Sequence, residues 1–217
     1  MKEKPILFKT EMVRAIPDGR KTQTRRVVKK QPPTWAKYPQ QVDDGWEWVD
    51  RNVDADDLRH WPGYYIQVKC PYGSIGDGLW VKENWRTLIE YNHLPPRDIP
   101  KSAPIEYEAA DKCVLSGKTR PNIFMCRWMS RFLLEITDIR VERVQEISEE
   151  DAIAEGIRYQ ADSGVFIGTE GPSPTPGMKC ITPWPTAKEA FMDLWDSING
   201  NWKANPWVWV VCFKVIK

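Results

Sequence analysis

The sequence predicts an α+β fold: a small mixed or antiparallel β-barrel with about three helices packed on it and inserted hairpin and loop segments. Three observations lead there. The segment Trp207 to Val215 is apolar at both odd and even positions, as a strand covered on both faces must be. The long segment Phe132 to Val144 alternates, but the parity of its apolar face switches at Thr137-Asp138, which signals a bulge or a corner. The helix signals are few, and they fall among the strands in no regular βαβ order. No linker separates two cores, so residues 1–217 read as a single domain with insertions near 40–70 and 158–185.

Taken in order, Pro5 to Lys9 reads as a short strand, and Thr10 as the N-cap of a helix from Glu11 to about Pro17 that buries Met12, Val13 and Ile16. Asp18-Gly19 stops it. Arg20 to Lys30 then carries six cations and no acid and reads as a basic turn. Gln31 to Pro39 is a connector. An inserted hairpin follows, with Trp46 to Val49 on one side and Tyr64 to Cys70 on the other. A turn at Pro71 to Gly78 leads into the strand Leu79-Trp80-Val81, and Ile105 to Ala109 reads as another strand.

Ser148 caps a short helix with Asp151 at its third position, Ile147 and Ala152 as the hydrophobic staple, and Gly156 as its stop. Tyr159 to Pro185, with five prolines from Pro172 onward, reads as a surface loop, a candidate lid. Thr186 and Glu189 form a capping box for a helix whose stripe is Ala187, Ala190, Phe191, Leu194, Trp195 and Ile198, ended by Asn199-Gly200.

Composition narrows function. Lys plus Arg number 31 and Asp plus Glu 30, so bulk charge does not hold this chain to nucleic acid or membrane, although a local basic site is compatible with it. The longest apolar run is seven residues, too short for a membrane span or a signal-peptide core, and the expectation is a cytoplasmic protein with no membrane partner. Five scattered cysteines and two histidines offer no zinc-ligand spacing; the thiols are expected to be reduced and mostly buried, and no metal or cofactor is expected. The seven acids from Asp43 to Asp57 lack EF-hand spacing and read as a solvated face. Two histidines, both in loop-like sequence, make a Ser-His-Asp or Cys-His site untenable. Twelve tryptophans mostly belong to the core, and exposed ones would suit stacking on a flat ligand.

Four segments could carry chemistry. In Gly19-Arg20-Lys21-Thr22-Gln23-Thr24-Arg25-Arg26 the Lys-Thr pair lacks the glycine pattern of a phosphate-binding loop. It suits an anionic ligand or a developing oxyanion, and neighbouring like charge would depress the Lys21 pKa; the plainer alternative is a solvated basic loop. Glu155 ends a helix where the macrodipole disfavours a carboxylate, so it is either an exposed helix residue or one offset by a cation such as Lys21. Arg127, Trp128, Ser130 and Arg131 combine phosphate-binding and base-stacking groups, with inward packing and ion pairing as the alternative. Glu83 and Asn84, just before Trp85, form a polar pair at a strand end. Arg20, Arg25, Arg26, Glu83, Trp85, Arg127, Trp128, Ser130 and Arg131 are therefore the candidate substrate- or nucleic-acid-binding residues.

The Gly-Arg-Lys-Thr-x-Thr-Arg segment at 19–25, the Gly76-Asp77 turn before Leu79-Trp80-Val81, the Ala154-Glu155-Gly156 helix end and the closing Trp-Val-Trp-Val-Val-x-Phe strand together resemble the ASCH domain family, relatives of PUA-type RNA-binding barrels. The chain is most similar to the longer members encoded in bacteriophages and prophages. The resemblance implies a barrel with a cleft for nucleosides or RNA. Some compact members are amidohydrolases that deacetylate N4-acetylcytidine with a Lys, a Thr and a Glu, which fall here on Lys21, Thr24 and Glu155. On that reading Thr24 attacks or positions water, Lys21 activates it and stabilises negative charge, and Glu155 handles the proton for the leaving amine. The alternatives are a non-catalytic binder of RNA or modified nucleic acid, a ribonuclease-type relative, or a phage accessory protein.

Overall fold

The computed structural model describes residues 1–32, 38–42, 45–49, 66–110, 114–172 and 179–216. Its central sheet is organised by one strand, β13 (Trp207–Val215), whose two apolar faces serve two cores. Trp207, Trp209, Val211 and Phe213 enter one core with Ile6, Phe8, Leu79 and Leu134. Val208 and Val210 enter the other with Ala152, Phe191 and Trp195. A strand filled on both faces belongs in the interior of a sheet. It lies between β9 (Leu133–Arg143) and β2 (Gln23–Val27), in the order β1-β6-β9-β13-β2, where β1 is Glu3–Leu7 and β6 is Gly78–Lys82. β1 runs parallel to β6, and the other neighbours are antiparallel.

The parity switch in β9 is a bulge. Cys212 lies opposite Asp138 and Phe213 opposite Ile136, which leaves Thr137 without a counterpart. The extra residue lets Leu134 and Ile136 share a core with Ile139 and Val141 despite their opposite parity. Among the described residues no ladder closes the sheet into a barrel. Its edges are instead linked by a side chain: Arg26 on β2 donates from Nη2 to the Leu7 carbonyl at the end of β1, at 2.6 Å. The architecture is mixed α+β, mostly antiparallel, with three α-helices among the described residues.

The first insertion builds core. β3 (Tyr38–Val42), β4 (Gly45–Val49) and β5 (Ile66–Val68) form an antiparallel sheet of three strands, one more than a hairpin. Its Trp48 is fully buried, 4.9 Å between ring centres from Trp207, and Trp46 meets Trp209 edge-on at 6.4 Å. Most of the acidic stretch 43–57, together with Tyr64 and Tyr65, lies outside the described residues.

The second insertion corrects the sequence reading. Rather than a loop, it holds β10 (Arg158–Gln160), β11 (Val165–Pro172) and β12 (Lys179–Trp184), an antiparallel sheet in that order. Pro172 ends a strand, and Pro183 lies on the edge strand β12 opposite Ile167, beside a register shift. Those are positions where a missing N–H is tolerated.

α1 (Thr10–Ala15) starts one residue earlier than expected, so Lys9 and not Thr10 occupies the N-cap, without a side-chain cap. The basic segment is also not simply a turn, because Gln23 to Val27 pairs with β13. α2 (Glu149–Ala154) and α3 (Ala187–Asn199) carry the expected caps, with the Ser148 and Thr186 hydroxyls accepting from the Asp151 and Glu189 amides. A third core of Trp85, Ile99, Ala103, Met125 and Met129 sits under short 3-10 turns and the two-residue strands β7 (Trp85–Arg86) and β8 (Glu106–Tyr107). The strand expected at 105–109 shrinks to Glu106-Tyr107. Cys70, Cys126 and Cys212 are free but half-buried, not buried as expected; Cys113 and Cys180 lie outside the described residues or, for Cys180, outside those whose side chains are described. Among the described residues no helix is long and apolar enough to cross a membrane.

Candidate active site

The start of the basic segment docks onto the end of α2. The Lys21 amide donates to the Ala15 carbonyl at 3.0 Å and the Thr22 amide to Ala154 at 2.9 Å, and Lys21 and Glu155 form an isolated antiparallel bridge. Gly156 permits this approach. Its φ is +100°, and a Cβ there would stand 3.2 Å from the Ala15 Cβ and 3.4 Å from the Lys21 Cβ.

The bridge brings Lys21 and Glu155, 134 positions apart, into direct contact. Lys21 Nζ donates to Glu155 Oε2 at 2.9 Å, to the Glu155 carbonyl at 2.7 Å and to the Gln23 carbonyl at 2.9 Å. Those three bonds use every hydrogen of the ammonium. Lys21 is 1% exposed and Glu155 3%. Burial lowers the Lys21 pKa and outweighs the opposing pull of Glu155, whereas the like charge of Arg26 and Arg25 adds less. The depression expected from sequence is present, with burial as its main cause. Lys21 and Arg26 also sit over the Phe8 ring, at 5.1 and 5.5 Å from its centre.

Arg25 extends the pair into a network. Its Nη1 reaches Glu155 Oε1 at 3.3 Å, its Nη2 reaches Asp151 Oδ2 at 2.6 Å, and its Nε reaches Glu142 Oε1 at 2.9 Å. Arg140 joins from β9, bonding Asp151 and Glu142. Burial would raise the Asp151 pKa, but hydrogen bonds from Gln23, Arg25 and Arg140 together with the charge of Arg25 leave it lowered. The carboxylate at the unfavourable end of α2 is thus offset by two cations.

Thr24 is 3% exposed, and among the described residues its hydroxyl has no hydrogen-bond partner. It lines a cavity of about 110 Å³ together with Arg26, Tyr72, Phe191 and Glu155. Lys21 does not line that cavity; it lies behind the Glu155 carboxylate. A larger cavity of about 290 Å³ adjoins, sharing Met12, Glu155 and Leu194 with the smaller one. Its far wall is Ile167 and Gly168 of β11, so the second insertion shapes the cleft.

The other candidates divide. Arg20 borders the larger cavity and bonds Asp18 and the Gly156 carbonyl. Arg25 is consumed by three carboxylates, which leaves it no role as a phosphate holder. Glu83, Trp85, Arg127, Trp128, Ser130 and Arg131 belong to the region around the third core. Glu83 is 1% exposed and forms a two-point pair with Arg131 at 2.8 and 2.9 Å; burial raises its pKa against the pull of that arginine. The Arg131 guanidinium lies over Tyr107 and Phe132. Trp85 is fully buried, so its indole is not presented to a base. Trp128 is half-buried against the same core, Arg127 pairs with Glu3, and the Ser130 hydroxyl is bonded to the Val81 and Phe132 carbonyls. For this region the inward-packing alternative describes the structure.

Sequence reasoning missed Gln23, Arg140, Glu142 and Asp151 as members of the network. Asp151 already had a local explanation as a capping residue, and nothing in the chain pairs Glu142 with an arginine 117 residues away. Comparison with family models, with curated proteins and with solved structures returns no match.

Proposed function

We propose that this chain is a nucleobase-directed hydrolase, an amidohydrolase that removes an acyl group from an exocyclic amine such as that of N4-acetylcytidine, on an ASCH-like sheet whose edge strands are linked by Arg26. The observation that carries the reading is the Lys21–Glu155 contact at 2.9 Å, with Glu155 and Thr24 on the wall of one cavity. These are the three positions onto which the resemblance carries the family's catalytic residues.

The geometry favours a division of labour. Glu155 takes a proton from water as the water oxygen bonds to the acyl carbon. The Thr24 hydroxyl, free of other partners among the described residues, donates to the carbonyl oxygen as it becomes an oxyanion. Collapse of the tetrahedral intermediate breaks the C–N bond, and Glu155 returns the proton to the departing amine. The products are a carboxylic acid and the free nucleobase amine. Lys21, its hydrogens all engaged, acts through Glu155 as a positioning residue rather than by activating Thr24.

The test is hydrolysis of acylated nucleosides and short acylated RNAs, followed by chromatography. The wild type is expected to release acetate, and Glu155→Gln and Thr24→Ala to lose about 10²- to 10⁴-fold in rate. Absence of wild-type turnover on every acylated substrate, or undiminished turnover in both variants, overturns the proposal. Salt-sensitive RNA binding that survives both substitutions would point instead to a non-catalytic binder.

A further inference from the structure

The larger cavity has a chemical asymmetry that the hydrolytic residues do not use. Its interior wall is apolar, made by Met12, Ile157, Ile167 and Leu194. Its rim carries Lys9, Arg14, Arg20 and Arg158 against the acid Glu11, whereas Glu155 is buried further in. The Glu155 charge is already met from behind by Lys21 and Arg25, so it does not neutralise the rim.

Three of these cations, Lys9, Arg14 and Arg20, retain donors. Lys9 is exposed and, among the described residues, its ammonium has no partner. Arg14 is anchored through Nε to the Ala109 carbonyl and through Nη2 to the Glu108 carbonyl, both at 3.3 Å, which leaves Nη1 unengaged among the described residues. Arg20 pairs with Asp18 through Nε and Nη2 and donates from Nη1 to the Gly156 carbonyl at 3.3 Å, which leaves one hydrogen on each terminal nitrogen. An arginine fixed at one end and free at the other is preorganised for a planar or tetrahedral anion.

Size limits the ligand. About 290 Å³ is near the lower bound of small-molecule sites, which run from about 300 Å³ upward. That accommodates one nucleotide unit and excludes a duplex.

We infer that this cleft binds a phosphate-bearing single nucleotide, with the base against the apolar wall beside Glu155 and the phosphate at the Lys9, Arg14 and Arg20 rim. This rests on the nucleobase reading above and adds a phosphate site to it. The phosphate comes either from a free mononucleotide or from a nucleotide within a single strand.

The test compares cytidine, cytidine 5′-monophosphate and a three-nucleotide RNA by titration calorimetry at two salt concentrations, with wild type and a Lys9→Gln/Arg14→Gln double variant. The monophosphate, the trinucleotide or both are expected to bind about tenfold or more tightly than cytidine, a ratio that falls with salt and approaches one in the variant. Which phosphate-bearing ligand binds more tightly identifies the source. Circular dichroism of the variant checks that it is folded, and Arg20→Gln gives a second, independent loss of the ratio. Equal affinity for all three ligands, or no binding of any, overturns the phosphate site. Hydrolysis of N4-acetylcytidine and its 5′-monophosphate is measured in parallel: equal turnover of both leaves the hydrolase intact and removes only the phosphate site, whereas phosphate-dependent binding without turnover removes only the hydrolase.

Discussion

Replacing Glu155 by glutamine removes one charge from a contact of 2.9 Å between side chains no more than 3% exposed. At an effective dielectric constant of about 20, that separation corresponds to about 6 kcal/mol of gross attraction. Most of it offsets the desolvation of the ammonium, since burial outweighs Glu155 in setting the Lys21 pKa. The substitution therefore leaves a buried lysine facing two carbonyls and an amide. Breaking a buried pair from one side costs about 3–5 kcal/mol; the retained amide oxygen still accepts a hydrogen bond, so a loss of about 3 kcal/mol is expected. Lys21→Met should cost less, because Arg25 continues to pair with Glu155. The double variant should be less destabilised than the sum of the singles, as it strands no charge. Urea unfolding followed by tryptophan fluorescence and far-ultraviolet circular dichroism measures all three. Glu155→Gln within about 0.5 kcal/mol of wild type, or strictly additive singles, would refute the argument that the pair is a closed, mutually dependent unit.

Other outcomes follow from single features. Trp48→Ala empties a fully buried site against Trp207 and should cost about 3–5 kcal/mol in thermal or urea unfolding; a loss below about 1 kcal/mol would mean that the inserted sheet is not part of the core. Gly156→Ala should destabilise more than Gly200→Ala. Both glycines have positive φ, but only at Gly156 would a Cβ meet neighbours, so about 1 kcal/mol is expected at Gly200 and more at Gly156 by differential scanning calorimetry. The Asp151 carboxyl is held below the ordinary aspartate pKa by its partners Gln23, Arg25 and Arg140, so its stabilising contribution is complete above that ordinary value and is lost as pH falls through the folded pKa. Asp151→Asn should accordingly flatten the loss of stability below about pH 4, and an unchanged acid limb would count against the Arg25–Asp151–Arg140 cluster.

Local signals carried much of the fold. The caps at Ser148 and Thr186 were readable because their partners lie three residues away. The Thr137 bulge was readable because alternation along one strand records which face is buried. The β10–β12 sheet was obscured by prolines that end a strand or sit on an edge. β2 was obscured because Arg25 and Arg26 suggest solvent, and only ion pairing to distant acids makes Arg25 a buried residue.

The sequence by itself determined the mixed α+β architecture, the central placement of the closing strand and the capped starts of α2 and α3, all set by contacts between residues close in the chain or alternating along it. The tertiary structure alone decided which charges are spent and which remain available. It seals Arg25 among three carboxylates, closes Arg131 on Glu83, hides Trp85, and sets Lys21 behind Glu155. A charged side chain's role depends on the burial and partners it meets in space, and those partners lie tens to more than a hundred residues away, beyond the reach of any local pattern.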